Sequence, residues 1–358
     1  MVDVLKYKGA NPGRGAHRMA IEAGHVILET RTLLAKLISA QKAEEIIFTS
    51  GATESINLII KGLLMPGDHV VTTSMEHNSV YRPLKALEKQ GIKITVISAD
   101  KDGHIYEKDV EKALNPNTKL IIVNHASNVC GTIVPVSLIG EIAHKHEVYF
   151  AVDASQSLGF VPIDVQKMHI DLLAFPGHKG LYGPPGVGGL YIKEGIILRT
   201  LKEGGTGVSS SLPEMPDIMP ERYEAGTLNL PGIAGLEAGI GYINRIGIAN
   251  IMKQGRELLV MVTEGLADIP GIKIYAPKAG EGVPVVSFNL ANLDASEVAL
   301  LLDKKYDIAV RAGLHCAPLA HKTIGTEATG AVRISIGTFN TENEIAELLK
   351  AVLEISKM

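Results

Sequence analysis

The chain has 358 residues, of which 46% are hydrophobic and 21% charged, enough to bury a large core and too many for one small domain. A formal net charge of −4 leaves no basic excess for nucleic acid or an anionic membrane surface, and no apolar run approaches the ~20 residues of a membrane helix. Two cysteines, Cys130 and Cys316, form no CxxC pair, which argues against a disulfide framework or a metal site. The start, MVDVLKYKGANPGRG, lacks the basic-then-apolar pattern of a signal peptide, so a cytoplasmic protein with a small-molecule substrate is expected.

Short β-branched runs then alternate with helical patterns: IIFTS and SINLIIKGLL; HVVTTS and SVYRPLKALEKQG; KITVIS; KLIIVNHAS and SLIGEIAHKH; VYFAVDAS; LLAFPG; GGLYI. Unbroken apolar strands separated by helices predict an α/β domain whose mostly parallel sheet is covered by helices. Ligands sit at the carboxyl ends of such strands, and polar residues collect there, at 49–54, 124–128, 153–156 and 178–179. Residues 203–221, rich in Gly, Ser and Pro, read as a mobile loop. Two long helical patterns, strands KIYAP and VPVVSFNL and a closing helix ENEIAELLKAVLEI follow. They predict a smaller α+β domain at 236–358 after a large domain at 1–235.

Three segments carry chemistry. In IIFTSGATESINLIIKG a strand ends in a glycine turn that opens a helix, where backbone N–H groups and the Thr53 hydroxyl suit a phosphate; an ordinary capped helix start is the alternative. Asp153 ends the apolar strand VYFAV, and a carboxylate there needs a cation. A protonated pyridine nitrogen would serve and would make the ring an electron sink; a helix cap or a lysine pair would also satisfy it. Lys179 follows 26 residues later, beside His178 and between glycine turns. Desolvation and a neighbouring cation lower an amine's pKa, as a Schiff-base lysine requires. The glycine run at 183–189 is read as backbone geometry alone.

GATESIN, EHNS, NHASNVCG, VDASQS, GHKGLYGP, EAGTLN, RAGLHCA and VRIS occur in the order found in class V aminotransferase-fold enzymes, and the set most resembles cysteine desulfurases, in the group related to selenocysteine lyases. The resemblance implies a fold-type I, pyridoxal 5′-phosphate-dependent homodimer with its site between a large and a small domain. By position, Lys179 carries the cofactor as a Schiff base and moves the Cα proton. Asp153 pairs with the pyridinium nitrogen, and Gln156 bonds the ring hydroxyl. His77 stacks on the ring, and Asn128 touches the ring hydroxyl and the substrate carboxylate. Ala52, Thr53 and His178 hold the phosphate, and Thr227 reaches the phosphate of the neighbouring subunit. Arg333 grips the α-carboxylate of L-cysteine or L-selenocysteine. Cys316 takes the sulfur as a persulfide for a sulfur acceptor protein or thiol, in sulfur metabolism such as iron–sulfur cluster assembly. Cys130 stands where the family varies and is read as structural.

Departures from the pattern carry expectations of their own. The family's initial strand, with an Asp-Asn-Ala-Ala-Thr-like stretch, does not precede Gly9, which predicts a thinner pocket wall and reduced activity. Pro176 stands in place of a phosphate-binding serine, and Leu314 in place of a histidine beside the nucleophile. A selenocysteine lyase or other C–S lyase, an aminotransferase, and a cofactor-binding but catalytically silent homologue would carry most of the same residues.

Overall fold

Where apolar residues run unbroken for four to seven positions the chain forms buried strands, and where they recur every three or four it forms helices. The computed structural model describes all residues except 14, 16 and 279. The first half holds α1 (Val2–Tyr7), α2 (Arg18–Leu37), β1 (Ile46–Thr49), α3 (Ala52–Leu63), β2 (His69–Thr73), α4 (Asn78–Glu88), β3 (Lys93–Ile97), α5 (Glu107–Lys112) and β4 (Thr118–Asn124). There follow α6 (Val136–Lys145), β5 (Tyr149–Asp153), β6 (Leu172–Pro176), β7 (Gly188–Ile192), α7 (Leu230–Ile246) and α8 (Ile248–Ala267). The chain closes with β8 (Ile272–Tyr275), β9 (Val285–Leu290), α9 (Ala295–Tyr306), β10 (Arg311–Gly313), α10 (Pro318–Ile324), β11 (Ala331–Ser335) and α11 (Glu342–Ile355).

Seven strands form one sheet in the order β1-β7-β6-β5-β4-β2-β3. The β2, β3, β4, β5 and β6 pairings are parallel, as the sequence predicts, whereas β7 runs antiparallel to both β1 and β6. The reason is the connection: a parallel neighbour requires a crossover element, and residues 177–187 between β6 and β7 hold no helix or strand. Alternate strand residues enter opposite cores. Ile47, Val70, Ile122 and Leu190 meet Ile56 and Ile59 of α3 and Leu84 of α4, while Phe48, Val71, Ile121 and Phe150 meet α2, α6 and α7.

The sequence reading passed over α1 and α2. Helix α2 buries Ala23, Val26, Ile27 and Leu34 in the large core. Its Arg31 is buried against Glu224, with two N–O contacts of 2.9 Å, and also donates to the Ile46 carbonyl. Glu224 accepts from Phe48 N at 2.7 Å, so the EAGTLN segment is pinned to β1; removing one member of such a buried pair costs about 3–5 kcal/mol.

The smaller sheet, β10-β11-β9-β8, is antiparallel throughout. It packs under α8, α9 and α11 around Leu258, Phe288, Val298, Val332 and Leu348. The division expected at 235/236 falls within α7, whose Ile233, Leu236 and Ile240 belong to the large core. Residues 203–221 hold turns and no helix or strand. Among the described residues, no helix is long and apolar enough to cross a membrane.

Candidate active site

The carboxyl ends of β1, β2, β4, β5 and β6 converge on a cavity of about 340 Å3, the place where a parallel sheet leaves strand ends free to bind. Ala52, Thr53, His77, Asn128, Asp153, Gln156, His178 and Lys179 all line it, together with Pro176. Eight residues read from five separate motifs are thus brought together. Arg333 lies next to the cavity, donating from Nη1 to Asn128 O at 3.0 Å. Thr227 lies apart, in another cavity beside Arg31 and Glu224. Cys130 is buried at 1% exposure, its Sγ 3.3 Å from Thr132 Oγ1, in keeping with a structural residue.

Close backbone approaches shape the cavity. The Gly51 turn rests on β7 at Gly188, where a Cβ would stand 2.6 Å from Gly51 Cα. Gly51 is also the N-cap of α3 and has no side chain to accept the first helix N–H groups, so these face the cavity free for an anion. Thr53 Oγ1 lies 2.8 Å from Ser79 Oγ, and Ser79 lines the cavity too. A serine hydroxyl absent at Pro176 is therefore present on α4. The Lys179 turn packs against the turn that follows Asp153, and a Cβ on Gly159 would overlap the Gly180 carbonyl oxygen.

Charge and burial tune these groups. Asp153, 4% exposed, accepts from Ser155 N at 2.9 Å and from the Ser155 hydroxyl. Desolvation within the concave cavity pushes the Lys179 ammonium below its ordinary pKa, with Asp153 opposing and Arg333 and Arg311 adding to the depression. The residue as a whole remains exposed, as a ligand would require. Burial likewise lowers His77, against the pull of Asp153. His77 does two things here: its Nδ1 caps α4 by accepting from Ser79 N at 3.0 Å, and the residue lines the cavity. Beneath them Glu76 is 1% exposed, and burial pushes its carboxyl up to about 8 despite hydrogen bonds from Thr73 Oγ1 and Asn124 N.

Cys316 sits on the loop between β10 and α10, where His315 and Cys316 hold left-handed φ values of +49° and +59°. Two such non-glycine residues cost about 1–3 kcal/mol each, and the surroundings supply the restraint. Asn78 N, the first amide of α4, donates to Cys316 O at 2.7 Å, and Asn128 Nδ2 donates to His315 O at 2.7 Å. Buried histidines complete it. His315 Nε2 lies 3.1 Å from Arg311 O, His315 Nδ1 lies 3.0 Å from His321 Nε2, and His321 Nδ1 lies 2.7 Å from Thr326 Oγ1. A carbonyl only accepts, so with both rings neutral the direction is forced. Thr326 O–H donates to His321, His321 Nε2–H to His315, and His315 Nε2–H to Arg311. Burial holds both rings at about 4, which keeps them neutral near pH 7.

The sequence reading missed Arg311, although its motif was noted. Arg311 lines the cofactor cavity, donates from Nη2 to Cys316 Sγ at 3.4 Å, and stands opposite Arg333 in the β10–β11 register. Directly opposed residues share a sheet face, so two guanidinium groups border one space, an arrangement that favours a carboxylate. An arginine opening the short strand just before a cysteine loop was the available signal. His315 and His321 stand near Cys316 in the sequence, but their hydrogen-bonded chain to Thr326 forms only when α10 folds.

A family model described as Aminotransferase class-V matches residues 1–348. The chain belongs to the class V aminotransferase family, whose members are built around pyridoxal phosphate. Within it, the chain is 38% identical to a "Probable cysteine desulfurase" of Methanothermobacter thermautotrophicus, covering 100% of this chain and 90% of that protein. It is 35% identical to a "Cysteine desulfurase" of Cronobacter sakazakii, over 96% of this chain and 86% of the relative. The apo cysteine desulfurase of Thermococcus onnurineus NA1 superposes with a TM-score of 0.93 at 38% identity, covering 99% of this chain and 90% of that one.

Proposed function

We propose that the chain is a pyridoxal-phosphate-dependent cysteine desulfurase that converts L-cysteine to L-alanine and keeps the sulfur as a persulfide on Cys316. The observation that carries this reading is that Arg311 borders the Lys179–Asp153 cavity and also bonds the Cys316 sulfur. The cavity's donor set fits the cofactor. The uncapped start of α3 and the Thr53 hydroxyl suit a phosphate, with Ala52 and His178 beside them. Asp153 suits a pyridinium nitrogen, and Gln156 a ring hydroxyl. Asn128 Oδ1 is buried without a partner, as expected of a group that awaits a donor from a ligand. When bound, pyridoxal phosphate supplies an electron sink that loosens bonds at the substrate's α- and β-carbons.

The chain's own residues do the rest. Lys179, its amine made less basic by its surroundings, holds the cofactor covalently and moves the α-proton. Arg333 and Arg311 grip the α-carboxylate and so orient the side chain toward Cys316. His77, which lines the same cavity, would lie against the cofactor ring. The Cys316 sulfur attacks the substrate sulfur: an S–S bond forms, the Cβ–S bond breaks, and the carbon keeps the electron pair and is protonated to alanine. Thr227, remote from its own chain's cavity, serves a second subunit in a homodimer, a reading supported by exposed apolar residues on the first two helices, including Leu5, Tyr7, Ile21 and Leu28.

Purified protein with bound cofactor should release one alanine per sulfur gained on Cys316 when given L-cysteine, read by mass spectrometry and alanine analysis in one tube. Borohydride should fix the cofactor to Lys179. Pyruvate and ammonia in place of alanine would make the protein a C–S lyase and sink the proposal; L-selenocysteine assayed alongside sets the substrate preference.

A further inference from the structure

Cys316 borders a second, open cavity of about 700 Å3, which it shares with Tyr81, Arg82, Lys85, Lys89 and Leu314. The sulfur therefore stands between two spaces, with Arg311 reaching it from the cofactor side. The groove's other wall is one face of α4 and its C-cap, since positions 78, 81, 82, 85 and 89 recur at helical spacing. That face is basic: Arg82, Lys85 and Lys89 stand against one acid, Glu88, which pairs with Lys85. Among the described residues no ion pair engages Arg82 or Lys89. The floor is apolar, with Leu314 39% exposed. Leu314, a departure from the family pattern with no part in the chemistry above, thus faces the groove.

We infer that this groove docks the sulfur acceptor, and that the acceptor is a protein segment whose thiol is flanked by carboxylates, with an apolar side chain seated on Leu314 and Tyr81. The inference rests on the persulfide reading and names the partner for it. The charge of the wall selects acids, by complementarity that raises encounter rates. Its size and apolar floor exceed what a small thiol covers. Transfer is balanced: the acceptor thiolate attacks the outer sulfur of the Cys316 persulfide, the new S–S bond forms as the bond to Cys316 Sγ breaks, and Cys316 leaves as a thiolate. The outer sulfur keeps its proton, and no external oxidant or reductant takes part.

The test uses the holoenzyme loaded with L-cysteine and two peptides of equal length, Asp-Glu-Cys-Leu-Glu and Lys-Lys-Cys-Leu-Lys. Loss of the Cys316 persulfide is followed by mass spectrometry. The acidic peptide should discharge it about tenfold faster at low salt, and the gap should close in high salt. In Lys85→Glu/Lys89→Glu the preference should invert, which controls for the peptides' different thiol reactivities. In Lys85→Gln/Lys89→Gln it should shrink, with alanine formation unchanged in both variants. An identical preference in wild type and in the charge-reversed variant overturns the proposal. Labelled peptides with Ser in place of Cys, followed by fluorescence anisotropy, separate it from the desulfurase reading. Charge-dependent binding without alanine formation keeps the groove assignment and removes the enzymatic one. Alanine formation with no peptide preference in either assay does the reverse.

Discussion

The cofactor cavity and the Cys316 loop adjoin each other but are held in place by different forces. Asp153 and Pro176 end strands whose apolar residues are clamped between two cores, and Asn128 and Lys179 follow in the loops that continue from such strands. A change of side chain there alters chemistry and leaves the backbone where it is. Cys316 instead depends on left-handed backbone restrained by hydrogen bonds from Asn78, Asn128 and the histidine chain. The sheet supplies rigid placement of charge, and the loop supplies a nucleophile whose position follows from how well a few polar groups are paired.

That contrast can be broken at both ends. On the cavity side, Lys179→Ala should cut alanine formation about 10²–10⁴-fold while the thermal midpoint stays close to wild type. Cys316→Ala should lose alanine formation to a similar degree, by about a hundredfold or more, yet keep the visible absorbance of bound cofactor. An unchanged rate in either variant would remove that residue from the reaction.

His321→Leu attacks position alone. It leaves His315 Nδ1 and Thr326 Oγ1 without their partner, at a cost of about 1–3 kcal/mol, and should lower kcat about tenfold with little change in KM. The same chain sets an acid limit. His315 and His321, held at about 4 when folded and near 6.5 unfolded, contribute stability that is present above pH 6.5 and lost as pH falls toward 4. The slope is at most about 1.4 kcal/mol per pH unit for each ring. Denaturant unfolding across that window should show a shallower slope in His321→Leu; an equal slope would mean that the rings do not act as a neutral pair.

Glu76 gives the smallest effect, of opposite sign. Its folded pKa of about 8 lies above the unfolded value, so its contribution is fully present below about pH 4.5 and is lost as pH rises toward 8. Glu76→Gln keeps the acceptor for Thr73 and Asn124 without that loss. It should therefore stabilise by about 1–2 kcal/mol at pH 8 and by nothing at pH 4.5, read as the difference in thermal midpoint.

Periodicity was enough to read the layered α/β architecture, because strand ends in a buried sheet are marked by an abrupt change from apolar to polar residues, and the family resemblance of the ordered motifs supplied the eight cavity residues. The antiparallel direction of β7 escaped, since the strand GGLYI looks the same in either direction. The helices before residue 46 went unread, although α2 carries the Arg31 that pins Glu224.

What the amino-acid order determined by itself is the chemical inventory: a lysine, a carboxylate and an anion-binding turn at strand ends, with a cysteine and an arginine in the second half. Tertiary structure decided which of these meet. Arg311 comes between cavity and sulfur, Cys316 faces a basic groove on α4, and three residues from α10 and its neighbours lock the loop. Such relations depend on side-chain direction and on hydrogen bonds between distant segments, and neither leaves a periodic trace along the chain.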